Sequence, residues 1–332
     1  MPIVTLRAIF SCSLKRLNKS PRFSKDKLVI WRITDGKQGH DAQSKGLIAA
    51  LGRLVEVDSY DLPALTCSEM LGCLISGKAA LAEELPNPDL IVGAGRRTHG
   101  SLIALRRARG GRLVVLMRPS MPRCFFDLSI IPEHDSCRQA DTVMTTRGVL
   151  NTIVRSEFAS NSRGLILIGG PSAHYSWAVE SLLNQVHKIV RSYPAVEWTL
   201  TTSRRTPEST LSGLERISER NLRLVPFRQT EQGWVAGQLN KSGLAWVSED
   251  SVSMVYEALT AGAKVGLLNI PEKGSRSRVS SGISRLLEEG LVLRCTDPIP
   301  NLNTAIVSVS SFNEADRIAK DLLQKYYGSP SQ

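Results

Sequence analysis

The chain has 332 residues and a mass of 36.4 kDa, with 42% hydrophobic and 22% charged residues. A single hydrophobic core stops growing near ~250–300 residues, so this length predicts two domains, and the composition excludes a largely disordered chain. The uninterrupted apolar runs are only a few residues long, far below the ~20 that a transmembrane helix needs, which argues against a membrane-spanning protein.

The net charge of +11 is concentrated at the amino terminus. Residues 1–27 contain seven basic side chains and one acidic side chain, so they carry more than half of the excess. This composition predicts a basic, disordered arm that touches anionic lipid headgroups, and an organelle transit peptide would look the same. The rest of the chain is mildly basic, has few aromatic residues and contains no nucleic-acid-reading motif, so we expect no nucleic-acid partner.

From residue 28 onward, short β-branched runs alternate with longer amphipathic stretches, which is typical of βαβ units around a parallel sheet. In the first half, the pattern predicts five strands of a five- or six-stranded sheet, at residues 28–33, 55–57, 90–92, 113–117 and 128–131. Residues 133–162 are polar and irregular. We expect the linker between the two domains there, with the boundary near residue 150.

The alternation resumes at residue 164. The second half predicts strands at residues 164–168, 196–202, 222–225, 244–247 and 264–269, with helices at 176–192, 208–219, 251–262 and 277–289. A closing helix within residues 313–332 is expected to pack back on one domain. The whole pattern predicts an α/β fold with two facing, doubly wound (Rossmann-like) domains, residues 28–150 and 151–312, and a ligand cleft at the carboxyl ends of their strands.

Two glycine-rich loops of the first domain each connect a strand to a helix, where free backbone N–H groups favour an anion. The candidate residues are Asp35, Gly36, Gly39 and His40 in the first loop, and Gly93, Gly95 and Arg96 in the second. The His40 imidazole would stand in the cleft as a general base. The alternatives are a tight turn with a capping histidine and a solvated basic turn. The first loop does not have the full dinucleotide-binding spacing, which argues against an NAD enzyme.

Three segments of the second domain predict a phosphate-binding surface. They supply Gly169, Gly170 and Ser172, then Thr202, Ser203, Arg204 and Arg205, and finally Ser251, Ser253 and Glu257. Hydroxyl groups, guanidinium groups and backbone amides at strand ends suit a diphosphate, and Ser251 is expected to cap a helix. Glu257, nearly two turns into that helix, is placed to accept hydrogen bonds from a ribose. Solvated arginines and a surface glutamate on an ordinary capped helix are the alternatives.

Four of these segments, in this order, resemble the signatures of the family named after the plant mitochondrial-fission protein "elongated mitochondria". They are residues 35–40, 169–172, 202–207 and 249–254. The resemblance extends from about residue 28 to about residue 293. Members of this family are in turn similar to GT-B glycosyltransferases, including the lipid-linked N-acetylglucosaminyltransferase of peptidoglycan synthesis, and to UDP-sugar 2-epimerases.

The resemblance implies a GT-B fold and a metal-independent glycosyltransferase without a cofactor. The substrates would be a nucleotide-sugar donor, bound in the second domain, and a lipid-linked or cell-surface-glycan acceptor, bound in the first. His40 would be the base, and the implied donor contacts are Glu257 with the ribose, Ser251, Ser253, Gly170 and Ser172 with the diphosphate, and Arg204 or Arg205 with the leaving-group charge.

By the same resemblance, the protein would work in the cytoplasm at the inner membrane face. The basic arm and residues 106–109 would then contact anionic lipid. The plant member recruits a dynamin-like protein to mitochondria. The alternative is therefore a non-catalytic adaptor that brings a partner to a membrane.

Overall fold

The computed structural model describes residues 27–135, 140–274, 278–306 and 312–328. The expected arm, apart from Lys27, lies outside these ranges. Assigning Lys27 to the arm is wrong, because this residue begins the first strand and its ammonium group contacts Glu56 and Asp58 on the neighbouring strand. Within the described ranges, none of the helices has the length and apolar character that a bilayer crossing requires.

The first sheet has six parallel strands. They are β1 (Lys27–Thr34), β2 (Glu56–Pro63), β3 (Leu90–Ala94), β4 (Arg112–Leu116), β5 (Leu128–Pro132) and β6 (Val143–Thr146), in the order β2-β1-β3-β4-β5-β6. The helices of this lobe are α1 (Gln38–Gly52), α2 (Cys67–Ser76) and α3 (His99–Arg109). Strand β6 lies in the stretch where the sequence predicts only a linker. It is a short, half-buried edge strand, so its apolar pattern is weak.

The second sheet is also parallel and has six strands. They are β7 (Ser160–Leu167), β8 (Glu197–Thr201), β9 (Leu222–Val225), β10 (Ser242–Ser248), β11 (Lys264–Leu268) and β12 (Val292–Arg294). The helices are α4 (Val179–Ser192), α5 (Glu208–Glu215), α6 (Trp234–Leu239), α7 (Val252–Ala261), α8 (Arg278–Glu288) and α9 (Leu302–Ala305). The strand order β12-β11-β10-β7-β8-β9 reverses between β7 and β10. Ligands of such sheets bind at this reversal, beyond the carboxyl ends of the strands.

The last helix, α10 (Glu314–Tyr327), returns to the first lobe and packs on α1. Its apolar residues recur at helical spacing, so they form one stripe, which is buried in the first core. The stripe consists of Ala315, Ile318, Ala319, Leu322 and Leu323. An ion pair between Arg53 and Asp316 fixes the start of the helix beside the end of α1.

Two glycines of α1 provide a test of how closely this helix packs on the main chain at Asn151. A Cβ atom on Gly46 would stand 2.4 Å from the main-chain oxygen of Asn151, whereas a Cβ atom on Gly52 would meet nothing within 4 Å. We expect Gly46→Ala to lower the free energy of unfolding by about 1–3 kcal/mol, because main chain cannot move aside cheaply. Gly52→Ala should be neutral or slightly stabilising. Equal effects of the two substitutions in urea unfolding would contradict this contact.

Candidate active site

A histidine and a buried carboxylate form a pair at the carboxyl end of β1. The Nδ1 atom of His40 lies 3.1 and 3.0 Å from the two carboxylate oxygens of Asp35. The Asp35 side chain is fully buried, and the imidazole is 18% exposed. A carboxylate accepts hydrogen bonds, so Nδ1 carries the proton and Nε2 of the neutral ring keeps its lone pair. This is the arrangement of a general base held by an orienting acid.

The loop that carries this pair is fixed by a polar cluster underneath it. The buried Arg32 side chain donates to Asp61 at 2.6 Å and to Asp41, in the first turn of α1, at 3.2 Å. Thr34 also donates to Asp41. Since Asp41 directly follows His40, these contacts hold the start of α1 and therefore the direction of the imidazole. They also hold the pKa of the Asp61 carboxyl below its ordinary value.

The wall of the site beside His40 is the main chain of Gly95, at the end of β3. Gly95 has φ +83° and ψ 159°, a conformation that is essentially restricted to glycine. A Cβ atom there would stand 2.2 Å from Cε1 of His40. The close approach of the two loops therefore depends on this glycine. Gly93 has a different role, because it packs against the Thr98 side chain, whereas Arg96 is exposed.

At the facing edge of the second sheet, Arg205 clamps three loops. Its guanidinium group donates to the carbonyl oxygen of Gly170 at 2.8 Å, to Oδ2 of Asp250 at 2.8 Å and to the hydroxyl of Ser251 at 2.9 Å. The Asp250 side chain is fully buried. The clamp joins the loops that follow β7, β8 and β10, which are the loops around the reversal of strand order.

Several of the groups predicted to bind the donor already form hydrogen bonds within the loops of this edge. The N–H groups of Gly169 and Gly170 donate to Ser248 at 2.8 Å and to Asp250 at 3.0 Å. The Ser172 hydroxyl accepts from the N–H of Tyr175 in its own loop, and the Thr202 hydroxyl accepts from the N–H of Phe227. The Ser203 hydroxyl donates to the carbonyl oxygen of Gly169. These five residues therefore shape the floor of the edge, and their polar groups are not free in this structure.

The start of α7 differs from the sequence expectation. Ser251 occupies the cap position, but its hydroxyl bonds to Arg205 and Asp250 and not to the helix, so the expectation that its side chain caps α7 is wrong. The first N–H groups of α7 consequently have no side-chain acceptor in the described part of the chain. Such a helix terminus favours an anion. Ser253 is exposed in this first turn.

Glu257 lies one turn after Ser253, on the same face of α7. Burial raises the pKa of its carboxyl group to about 7. In the described ranges it has no hydrogen-bond or ion-pair partner. A half-buried carboxylate without a partner is a ready acceptor for ligand hydroxyl groups.

A direct contact joins the two edges. The guanidinium group of Arg204, in the loop after β8, donates to the side-chain oxygen of Gln38, the first residue of α1. Gln38 is two residues before His40. The histidine pair of the first lobe and the polar edge of the second lobe therefore border one cleft, with Arg204 between them.

The structure adds to the sequence analysis at two places, the arginines of α3 and Asp250. Of the residues expected to face lipid, Arg106 pairs with Asp127 at 3.0 Å and Arg109 bonds to the side-chain oxygen of Asn87 at 2.7 Å, so both guanidinium groups are held within the lobe, whereas Arg107 is exposed. The sequence analysis does not single out Asp250 as a site residue; the signal for it in the sequence is an acid two positions after a buried strand. In the described ranges, no three acidic, histidine or cysteine side chains are grouped to hold a metal ion.

The contact between Gly95 and His40 can be tested with a matched pair of substitutions. Gly36→Ala introduces a side chain at φ +76° in open space, and should cost about 1–2 kcal/mol of stability from backbone strain alone. Gly95→Ala should cost more, and should also displace the imidazole. We expect faster carbethoxylation of His40 by diethyl pyrocarbonate in Gly95→Ala only, measured by mass spectrometry. Equal rates in both variants would contradict this geometry.

The raised pKa of Glu257 predicts a pH-dependent stability. The folded protein keeps the proton up to about pH 7, whereas the unfolded chain loses it near 4.5, so the free energy of unfolding falls between these pH values. Glu257→Gln has no proton to lose. Its stability relative to wild type should grow from pH 4.5 to 7, by about 3 kcal/mol, and then stay constant. A constant difference across this range in thermal unfolding would refute the raised pKa.

Comparison with known proteins places the chain in a family. A family model described as mitochondrial fission ELM1 matches residues 38–326. An uncharacterised protein of Rickettsia prowazekii (strain Madrid E) is 24% identical over 349 residues, covering 88% of this chain and 96% of that protein.

Solved structures share the fold. One is a Listeria monocytogenes protein assigned as a UDP-N-acetylglucosamine 2-epimerase, with TM-score 0.58 and 14% identity over 92% of this chain and 100% of that one. Another is the Neisseria meningitidis UDP-GlcNAc 2-epimerase bound to UDP-GlcNAc, with TM-score 0.50 and 13% identity over 90% and 98%. The two Rossmann-like sheets with a cleft between them are thus of the GT-B type, and the chain belongs to the mitochondrial fission ELM1 family.

Proposed function

We propose that the protein is a metal-independent glycosyltransferase that transfers a sugar from a nucleotide donor to a lipid-linked or cell-surface-glycan acceptor. The observation that carries this proposal is the pair of Asp35 and His40 at one edge of a cleft whose other edge offers an open helix terminus and Glu257. In this proposal, residues 28–150 form the acceptor domain and residues 151–312 the donor domain.

The donor would lie along the second edge. Its diphosphate would accept hydrogen bonds from the first turn of α7 and the Ser253 hydroxyl, with Arg204 nearby as a cation. Its ribose hydroxyls would donate to Glu257. A structure of the same fold holds UDP-GlcNAc and another holds UDP, which supports a nucleotide of this kind.

The chemistry follows from what each edge supplies. The acceptor hydroxyl oxygen attacks the anomeric carbon, and its proton passes to Nε2 of His40. The bond between the anomeric carbon and the diphosphate breaks, and the electron pair leaves on the diphosphate. Asp35 stabilises the resulting imidazolium ion, while Arg204 and the α7 terminus stabilise the leaving charge. These positive groups are held in fixed positions and neutralise the negative charge of the leaving diphosphate.

The acceptor and location are proposed from the family resemblance. A lipid-linked acceptor would require the protein to work at a membrane surface, and the resemblance implies the cytoplasmic side. Because Arg106 and Arg109 are bonded within the first lobe, attraction to anionic lipid would come mainly from the basic segment before residue 27, with Arg107 as an exposed cation on α3.

Nucleotide binding is the first test. We expect one of UDP, GDP, ADP or CMP to raise the melting temperature, since a ligand at ~100 times its dissociation constant adds roughly 2.7 kcal/mol of stability. Ribose hydroxyls bond better to ionised Glu257, so affinity should rise from pH 6 to 8. Glu257→Gln should bind the nucleotide more weakly than wild type does. With the same nucleotide, its affinity should also lack the part of the increase between pH 6 and 8 that comes from ionisation of Glu257. No shift at millimolar nucleotide would contradict the donor site and favour the adaptor.

Measurement of the sugar-transfer reaction tests the edge of the cleft that carries His40. His40→Gln should lower the release of nucleoside diphosphate by about 10²–10⁴-fold, because the base is lost, and leave nucleotide affinity unchanged. His187→Gln on α4, whose ring bonds to Glu219, is the control and should retain activity. Equal activity of wild type and His40→Gln would exclude His40 as the base.

A further inference from the structure

A second cavity lies at the opposite edge of the second sheet, at the amino ends of β7, β8, β9 and β10. Its volume is about 430 Å³. It is separated from the cleft by the length of the strands. Nothing in the proposed transfer reaction uses it.

The cavity is strongly basic. Four exposed cationic side chains line it: Arg163, Arg220, Arg223 and Lys241. The acidic residue in the lining is Glu197, which approaches only Arg163, at 3.9 Å. Within the described ranges, the other three cations have no acidic partner.

Some surface arginines have a carboxylate partner on the same molecule, as Arg53, Arg294 and Arg317 do. Single exposed arginines such as Arg216 have none in the described ranges. What distinguishes this group is that four cations line one cavity. Four cations gathered around one cavity repel one another unless an anion offsets their charge. The missing counter-charge is therefore expected from a ligand.

The walls of the cavity are held in place before any ligand arrives. The Asn221 side-chain amide donates to three carbonyl oxygens, of Val190, Tyr193 and Val196, at 3.1–3.2 Å. This fixes the loop that carries Arg220 and leads to Arg223. The floor includes Trp198, whose ring packs directly on Gly164 and whose buried indole N–H has no acceptor among the described residues.

We propose that this cavity binds a ligand with two or more phosphate groups. Guanidinium forks pair with phosphate oxygens in bidentate geometry, and several such pairs act together in a preformed site. The volume suits a small molecule or a headgroup. The phosphates come either from a free phosphorylated metabolite or from an anionic lipid headgroup.

The test uses the full chain and pyrophosphate as the probe. Pyrophosphate should protect Arg220 and Arg223 from phenylglyoxal, read out by mass spectrometry, which separates this cavity from the cleft even if the proposed transfer is wrong. The double variant Arg220→Gln/Arg223→Gln should bind pyrophosphate at this site at least ~10-fold more weakly in calorimetry. Arg216→Gln, an exposed arginine outside the cavity, is the matched control and should bind normally.

Vesicles distinguish the two sources. Co-sedimentation with vesicles that contain cardiolipin, a lipid with two phosphates, would assign the site to a lipid headgroup if pyrophosphate competes with it and the double variant weakens it more than Arg216→Gln does. Pyrophosphate binding at the cavity together with vesicle binding that is absent or unchanged in the double variant would assign it to a soluble ligand. Absence of protection at Arg220 and Arg223, or unchanged binding by the double variant, would overturn the proposal.

Discussion

The cleft edge of the second lobe depends on the ion pair between Arg205 and Asp250. A buried carboxylate without a partner costs several kcal/mol, so Asp250 requires this guanidinium group. Because Arg205 also bonds to the Gly170 carbonyl and the Ser251 hydroxyl, one side chain sets the relative positions of three loops. Arg205 is therefore primarily a positioning residue. Arg204, its neighbour, is the arginine that reaches across the cleft.

Charged contacts also connect the two lobes away from the cleft. The guanidinium group of Arg147, directly after β6, contacts Glu289, directly after α8. Glu133, directly after β5, contacts Arg285 on α8. These side chains are partly exposed to solvent, so the contacts are exchangeable for water at low cost. Contacts of this type permit the lobes to move relative to each other more readily than a large apolar interface would.

The architecture could be predicted from the sequence because parallel strands buried on both faces read as continuous apolar runs. β3 and β10 are buried along their whole length, and such runs are visible without a structure. The short edge strands β6 and β12 escaped prediction, since each has few residues and little burial. Both segments are strands because each pairs with the neighbouring strand of its sheet, β5 or β11.

The site was predictable only in part. Glycine-rich loops after strands indicate two loop edges, and the structure brings these edges together through the contact of Arg204 with Gln38; the role of His40 stays a prediction from its position at a helix start. What the sequence could not indicate is which polar groups are already bonded to one another. The N–H of Gly170 and the hydroxyl of Ser251 look like phosphate ligands in the sequence, but the Asp250 carboxylate occupies both. Such competition is decided by three-dimensional packing.

The return of α10 to the first lobe has a consequence for synthesis on the ribosome. The first core contains residues from both ends of the chain, and the contacting residues Arg53 and Asp316 are 263 positions apart. At ~5–20 residues per second, roughly 15–50 s pass between the synthesis of α1 and that of its partner helix. During this interval the apolar face of α1 lacks its cover. The core of the first lobe is thus completed only after the whole second lobe has been synthesised.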